Sequence, residues 1–119
     1  MTQTGVQTEW LPGGREMRLL SGVHFVDSRG VAWIARAGAV IDGASIPRLF
    51  WRIAGSPFVG KFRRASVIHD VYCVTKERPH AEVHKMFLEV MEADGVPGWK
   101  RRFMYWAVRL FGPKWEVEL

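Results

Sequence analysis

The sequence predicts an α+β fold: a small antiparallel sheet first, a helical half after it. Two observations carry this. Up to residue 41, short runs of strand character are separated by the turn signals Gly13-Gly14 and Ser28-Arg29-Gly30. From residue 42 onward, apolar residues recur at helical spacing. Composition adds a bound on size. A chain of 119 residues, 48% hydrophobic and 24% charged, has the make-up of one folded domain with one core. The expected organisation is therefore a single domain over 1–119, β-rich over 1–41 and helical over 42–119.

In chain order, Met17–Leu20, Val23–Val26 and Val31–Ala35 read as an antiparallel meander. Gly38 and Gly43 then break the strand pattern. Ser45 is placed to cap a short helix that opens at Pro47, since serine ahead of an early proline is a common helix start. The spacing predicts a helix over Phe62–Thr75, with Ala65, Ile68 and Tyr72 on one face. A second helix over Pro79–Asp94 opens on proline, turns Val83, Met86, Phe87, Val90 and Met91 inward and stops at Gly95. The short loop Lys76-Glu77-Arg78 makes these two an antiparallel pair. Trp99–Phe111 is a last helix, closed by Gly112-Pro113. The meander is thus followed by three to four helices.

Several classes are disfavoured. No apolar run approaches the ~20 residues of a membrane-spanning helix, and Met1–Trp10 lacks a basic start followed by an apolar stretch, so no signal peptide is expected. One cysteine, Cys73, allows no internal disulfide and suits synthesis in a reducing compartment. The formal charge of +5 suits an anionic partner. Nucleic acid is not the expected one, because helix-turn-helix, zinc-finger and ribonucleoprotein patterns are all missing from the sequence. Six Trp and seven Phe are more than so short a chain hides easily, and some of that surface is expected to meet a partner.

Chemistry concentrates at two places. His69-Asp70 offers a proton acceptor and an anionic ligand within one helical turn, and the Gly-flanked Asp42 loop can present oxygen to a hard cation such as calcium. The plain alternative is a partly buried imidazole, with Asp70 solvated or paired with Arg63 or Arg64. On the next helix, His80 and His84 stand four residues apart, a spacing that lets two imidazoles face one zinc ion, with His69 as the third ligand. The last helix interleaves Trp99, Phe103 and Trp106 with Arg102 and Arg109. That is an amphipathic face for packing or for contact with another subunit or a lipid envelope.

Two resemblances follow from these residues. The run Asp42-Gly43-Ala44-Ser45-Ile46-Pro47-Arg48, with Ile68-His69-Asp70-Val71-Tyr72 after it, resembles a family of uncharacterised small proteins from phages and prophages, over roughly Val40 to Phe111. It implies a virion structural role, tail-associated, with other phage structural proteins as partners and assembly after synthesis in the host cytoplasm. A more distant resemblance is to the prokaryotic secreted phospholipases of the A2 class. It rests on Asp42-Gly43-Ala44-Ser45, on His69-Asp70 with Tyr72, and on His84-Lys85-Met86-Phe87. It implies a phospholipase-like antiparallel helix pair, His69 as general base, Asp42 and Asp70 as calcium ligands, and position 84 as the orienter of the base. The enzymes carry a carboxylate where this chain has His84. The first expectation is therefore a virion structural protein. The alternative is an envelope-directed hydrolase using His69 and a bound cation.

Overall fold

The computed structural model describes residues 6–14, 16–42, 50, 52 and 60–115. The expected short helix at Pro47, its Ser45 cap and the loop residues Gly43 and Ala44 lie outside the described residues. Five strands come first: β1 (Thr8–Trp10), β2 (Met17–Leu19), β3 (Val23–Val26), β4 (Ala32–Ala35) and β5 (Val40–Ile41). A 3-10 turn at Gly60–Phe62 leads into α1 (Arg63–Thr75), followed by α2 (His80–Ala93) and α3 (Gly98–Phe111). The architecture is α+β, as the two periodicities predict.

The strands do not form one meander. β2 is the centre of a three-stranded antiparallel sheet in the order β1-β2-β5, while β3 and β4 form a separate hairpin. The reason lies in the backbone of β2. Its second edge is filled by the chain returning after β4: Leu19 N–H donates to Ala39 O at 2.8 Å, Gly38 N–H donates to Leu19 O at 2.7 Å, and Met17 pairs with Ile41. With both edges of β2 paired, β3 is left to β4, in the register Phe25 opposite Trp33. Period-two alternation buries Met17 and Leu19 on one side of β2 and exposes Arg18 on the other.

The hairpin turn is organised by one carboxylate. Asp27 accepts hydrogen bonds from the backbone N–H of Arg29 (2.8 Å) and Val31 (3.0 Å), from Trp33 Nε1 (3.0 Å) and from Arg29 Nη2 (3.2 Å). Burial pushes its carboxyl up. The hydrogen bonds from Trp33, Val31 and Arg29 outweigh that and hold it well below the usual carboxylate range. Gly30 closes the turn at φ +82°, a left-handed conformation that costs glycine little.

Helix α1 is the axle of the molecule. Every residue from Ala65 to Cys73 is buried, because α2 covers one flank while β3, β4 and β5 cover another. The expectation of a one-faced helix fails there, and Ser66, His69 and Asp70 go inside with the apolar residues. α2 behaves as its pattern predicts, burying Val83, Met86, Phe87, Val90 and Met91. Arg64 clamps the end of α2 to the start of α1 through two bonds to Asp94, Nε–Oδ2 at 3.0 Å and Nη2–Oδ1 at 2.8 Å. α3 packs on α2 through Met104, Ala107 and Val108 and leaves its other face outside.

Candidate functional site

The antiparallel pair α1 and α2 brings His69 and His84 together. Their rings meet edge to edge, His69 Nε2 to His84 Nδ1 at 2.8 Å, and neither ring has appreciable solvent exposure. The far nitrogen of His84, Nε2, lies 3.2 Å from the carbonyl oxygen of Pro113, just past the end of α3. A carbonyl only accepts, so His84 carries its proton on Nε2 and offers Nδ1 as a lone pair. His69 must then donate from Nε2, and in the neutral ring its Nδ1 is the unprotonated nitrogen. The bonds run in one direction, from His69 through His84 to Pro113.

Both rings are held neutral. Burial drives the pKa of His69 well below 6.5, and the positive charge His84 can carry adds to the effect. His84 falls to about 4, chiefly by burial; its bond to Pro113 O opposes the shift, while the charges of His80, Lys114 and Arg109 reinforce it. The surroundings of His69 are apolar and soft. The Phe87 ring centroid lies 4.6 Å away, and Cys73 Sγ lies 3.7 Å from Nδ1.

Asp70 is buried beside this pair and accepts the backbone N–H of Asp42 at 3.0 Å. The expected partner arginines go elsewhere: Arg63 donates to Thr8 Oγ1 at 2.6 Å, and Arg64 holds Asp94. The Asp42 loop and the His-Asp helix are therefore physically joined, as their joint appearance in the sequence suggests. The described joint is a backbone N–H to a carboxylate.

The expected zinc triad does not assemble. The nitrogens through which His69 and His84 would share an ion face each other directly, and His80 Nδ1 is turned to the backbone of Trp115, accepting its N–H at 3.1 Å. Among the described residues no three His, Cys, Asp or Glu side chains are grouped to hold a metal ion. For calcium, which takes six to eight oxygens, the described residues supply Asp70 and Asp42, and the Gly43–Ser45 stretch lies outside them.

The sequence reading missed the tail that follows α3. Trp115 Nε1 donates to Arg78 O at 2.7 Å and its backbone meets His80, while Pro113 supplies the terminal acceptor of the imidazole chain. Gly112-Pro113 signalled only a helix stop. Where the chain goes after that stop is a tertiary fact.

A second feature is the outer face of α3. Trp99, Trp106, Leu110 and Phe111 are each at least half exposed. Phe50 packs against Phe103 and Phe111, with centroids 5.2 and 5.8 Å apart. These residues, with Arg102, frame an open apolar hollow of about 390 Å³. Arg109 sits at its border, 5.5 Å over the Trp106 ring. All five residues expected to bind a partner, Trp99, Arg102, Phe103, Trp106 and Arg109, thus lie in or beside one surface. No helix among the described residues is long and apolar enough to cross a membrane.

Fold and site define a small α+β protein built on an antiparallel helix pair with a buried imidazole chain. It belongs to the family described as a protein of unknown function, DUF1353, whose pattern matches residues 17–108. Two relatives come from Sinorhizobium fredii (strain NBRC 101917 / NGR234), and both carry the description of uncharacterized proteins. The chain is 49% identical to y4jT over 100 residues, covering 84% of this chain and 30% of the relative. It is 39% identical to y4iH over 106 residues, covering 88% of this chain and 44% of the relative. The chain thus spans less than half the length of both relatives. No solved structure matches it.

Proposed function

We propose that this protein is an assembly component that binds another polypeptide through the outer face of α3. One observation carries the reading: α3 buries Met104, Ala107 and Val108 against α2 yet turns Trp99, Trp106, Leu110 and Phe111 to solvent. Aromatic anchors beside arginine are the composition of a protein–protein interface core, where Trp and Arg supply most of the affinity. The hollow is framed by rings that already pack on one another, so little order is lost on binding. The finer form of the proposal is a tail-associated virion component. Its support is the resemblance of the Asp42 loop and the His69-Asp70 helix to small phage and prophage proteins.

The test uses phage particles from a strain that produces this protein, banded on a density gradient. The protein is expected in the particle band at fixed stoichiometry, and Trp106→Ser/Phe111→Ser is expected to be lost from it while keeping the unfolding temperature of the native chain. A native protein absent from particles overturns the virion form. Equal incorporation of the variant overturns the role of the α3 face.

A second reading, an envelope-directed hydrolase, has one observation in its favour. His69 is oriented through Nε2 by His84 in the manner of a base and its positioning partner. Burial of the whole ring places it second. Turnover of phosphatidylglycerol vesicles with calcium that disappears in His69→Ala would promote it to first.

A further inference from the structure

We propose that the cleft between the first turn of α2 and the last turn of α3 binds a phosphate-class oxyanion. The cleft shares no lining residue with the apolar hollow, although Arg109 stands at the border of both, and the anion site does not rest on the hollow's role. The cleft has a volume of about 130 Å³ and is lined by His80, Ala81, His84, Tyr105, Arg109 and Lys114. None of those six is a carboxylate. Arg109 and Lys114 are cationic, and the Tyr105 hydroxyl stands with them.

The donors are held in place with capacity to spare. Arg109 Nη1 donates to Tyr105 Oη at 2.8 Å, and its guanidinium carbon lies 5.5 Å from the Trp106 ring centroid. One of its five N–H groups is used in that bond. Lys114 Nζ donates once, to Leu110 O at 3.1 Å, and has two further protons. Tyr105 Oη accepts from Arg109 and so has its own proton to give. Planar guanidinium, ammonium and phenol hydroxyl around one small cavity form a donor set for a tetrahedral anion.

The local field agrees with the geometry. His80, Lys114 and Arg109 all press the His84 ring toward its neutral form. Carboxylates nearby on α2 are engaged away from the cleft: Glu82 pairs with Arg29 at 3.2 Å, and Glu89 accepts the N–H of Ser28 at 2.9 Å. The cleft also opens at the N-terminal turn of a 14-residue helix, the end where the aligned peptide dipoles are positive. A bound oxyanion would supply the negative charge that the six lining residues lack.

The experiment measures thermal unfolding and the His84 ring resonances during titration with inorganic phosphate, against sodium chloride at equal ionic strength. A saturable rise in unfolding temperature with phosphate alone is expected, since a ligand specific to the native state stabilises it by mass action. His84 resonances should move on the same curve. Arg109→Gln and Lys114→Gln should each weaken the apparent affinity about tenfold or more, the loss of a charge-assisted hydrogen bond. Arg36→Gln, an exposed arginine that does not line the cleft, should change nothing. A parallel arm sediments the protein with phosphatidate vesicles. Binding there that phosphate displaces and Lys114→Gln weakens identifies a lipid headgroup as the source; a response to phosphate without vesicle binding identifies a free phosphate. Either result supports the cleft. A response that is not saturable, or one that survives in the Arg109→Gln/Lys114→Gln double variant, overturns it.

Discussion

His69 donates from Nε2 to Nδ1 of His84 across 2.8 Å, and His84 passes the same polarity on to Pro113 O. Each imidazole uses one nitrogen as donor, and the order is fixed by the carbonyl at the end. Two ionisable side chains are thereby accommodated in the core without charge, which is the condition for burying them at modest cost.

Removing the middle member should expose that cost. In His84→Ala, the buried Nε2–H of His69 loses its acceptor and the ring leaves a void, together worth about 2–4 kcal/mol. The urea midpoint should fall with an unchanged slope. His84→Gln, whose amide oxygen can accept, should recover part of the loss. If His84→Ala unfolds at the native midpoint, the relay has no structural weight.

Acidification should weaken the fold in a defined window. The folded pKa values of both histidines lie below 6.5, His84 at about 4. Between those limits the unfolded chain binds protons that the native chain does not, so stability declines as pH drops. The slope is at most about 1.4 kcal/mol per pH unit for each group. Below about 4 the His84 contribution levels off, because both states are then protonated. Asp27 acts later: its folded pKa is depressed from 3.8, so its stabilisation is present at higher pH and is lost as acid protonates it. Urea midpoints at pH 7.5, 6, 5 and 4.5 should decline steadily, less steeply in His84→Gln. A flat profile from pH 7.5 to 5 contradicts the neutral pair.

Helix ends were legible in the sequence because their signals are local. Pro79 and Gly95 bound α2, and Gly112 closes α3, at the residues where the chain needs a fixed φ, a left-handed turn or a close approach. The strands were half legible. β2 to β4 show alternation, but β1 and β5, of three and two residues, are too short to show any period, and the returning β5 is what splits the meander. The all-round burial of α1 was hidden, since Ala65, Ile68 and Tyr72 marked one inward face and Asp70 read as solvated or paired with an arginine. His69 and Asp70 are inside because His84 and the Asp42 N–H supply partners from elsewhere in the chain. The pairing of the Asp42 loop with the His-Asp helix was visible as co-occurrence; Pro113 as terminal acceptor was not visible at all.

Asp27 offers an independent test of the hairpin. Its carboxylate collects the Arg29 and Val31 amides and the Trp33 indole, so Asp27→Asn replaces an acceptor with a donor facing other donors. The expected cost is about 2–3 kcal/mol, and the near-ultraviolet signal of Trp33, which is fully buried, should change with it. An Asn variant of native stability and native Trp33 signal would show that the turn holds without the charge.

Gly112 links the α3 terminus to the imidazole chain. Its φ of −81° is open to any residue, yet a Cβ there would lie 2.4 Å from the carbonyl oxygen of Val108, which also accepts the Gly112 N–H at 2.9 Å. The Val108 atoms a Cβ would meet are backbone, so Gly112→Ala must loosen the end of α3 or tilt the next residue. The next residue is Pro113, whose carbonyl terminates the His69–His84 chain. The substitution should cost about 1–3 kcal/mol, and part of that loss should travel through His84. A double-mutant cycle reads this directly: with His84→Ala already present, Gly112→Ala should cost less than it does alone, by an interaction energy of at least about 0.5 kcal/mol. Strict additivity would mean that the strain stays within the helix end and that Pro113 O holds its place without help from the turn.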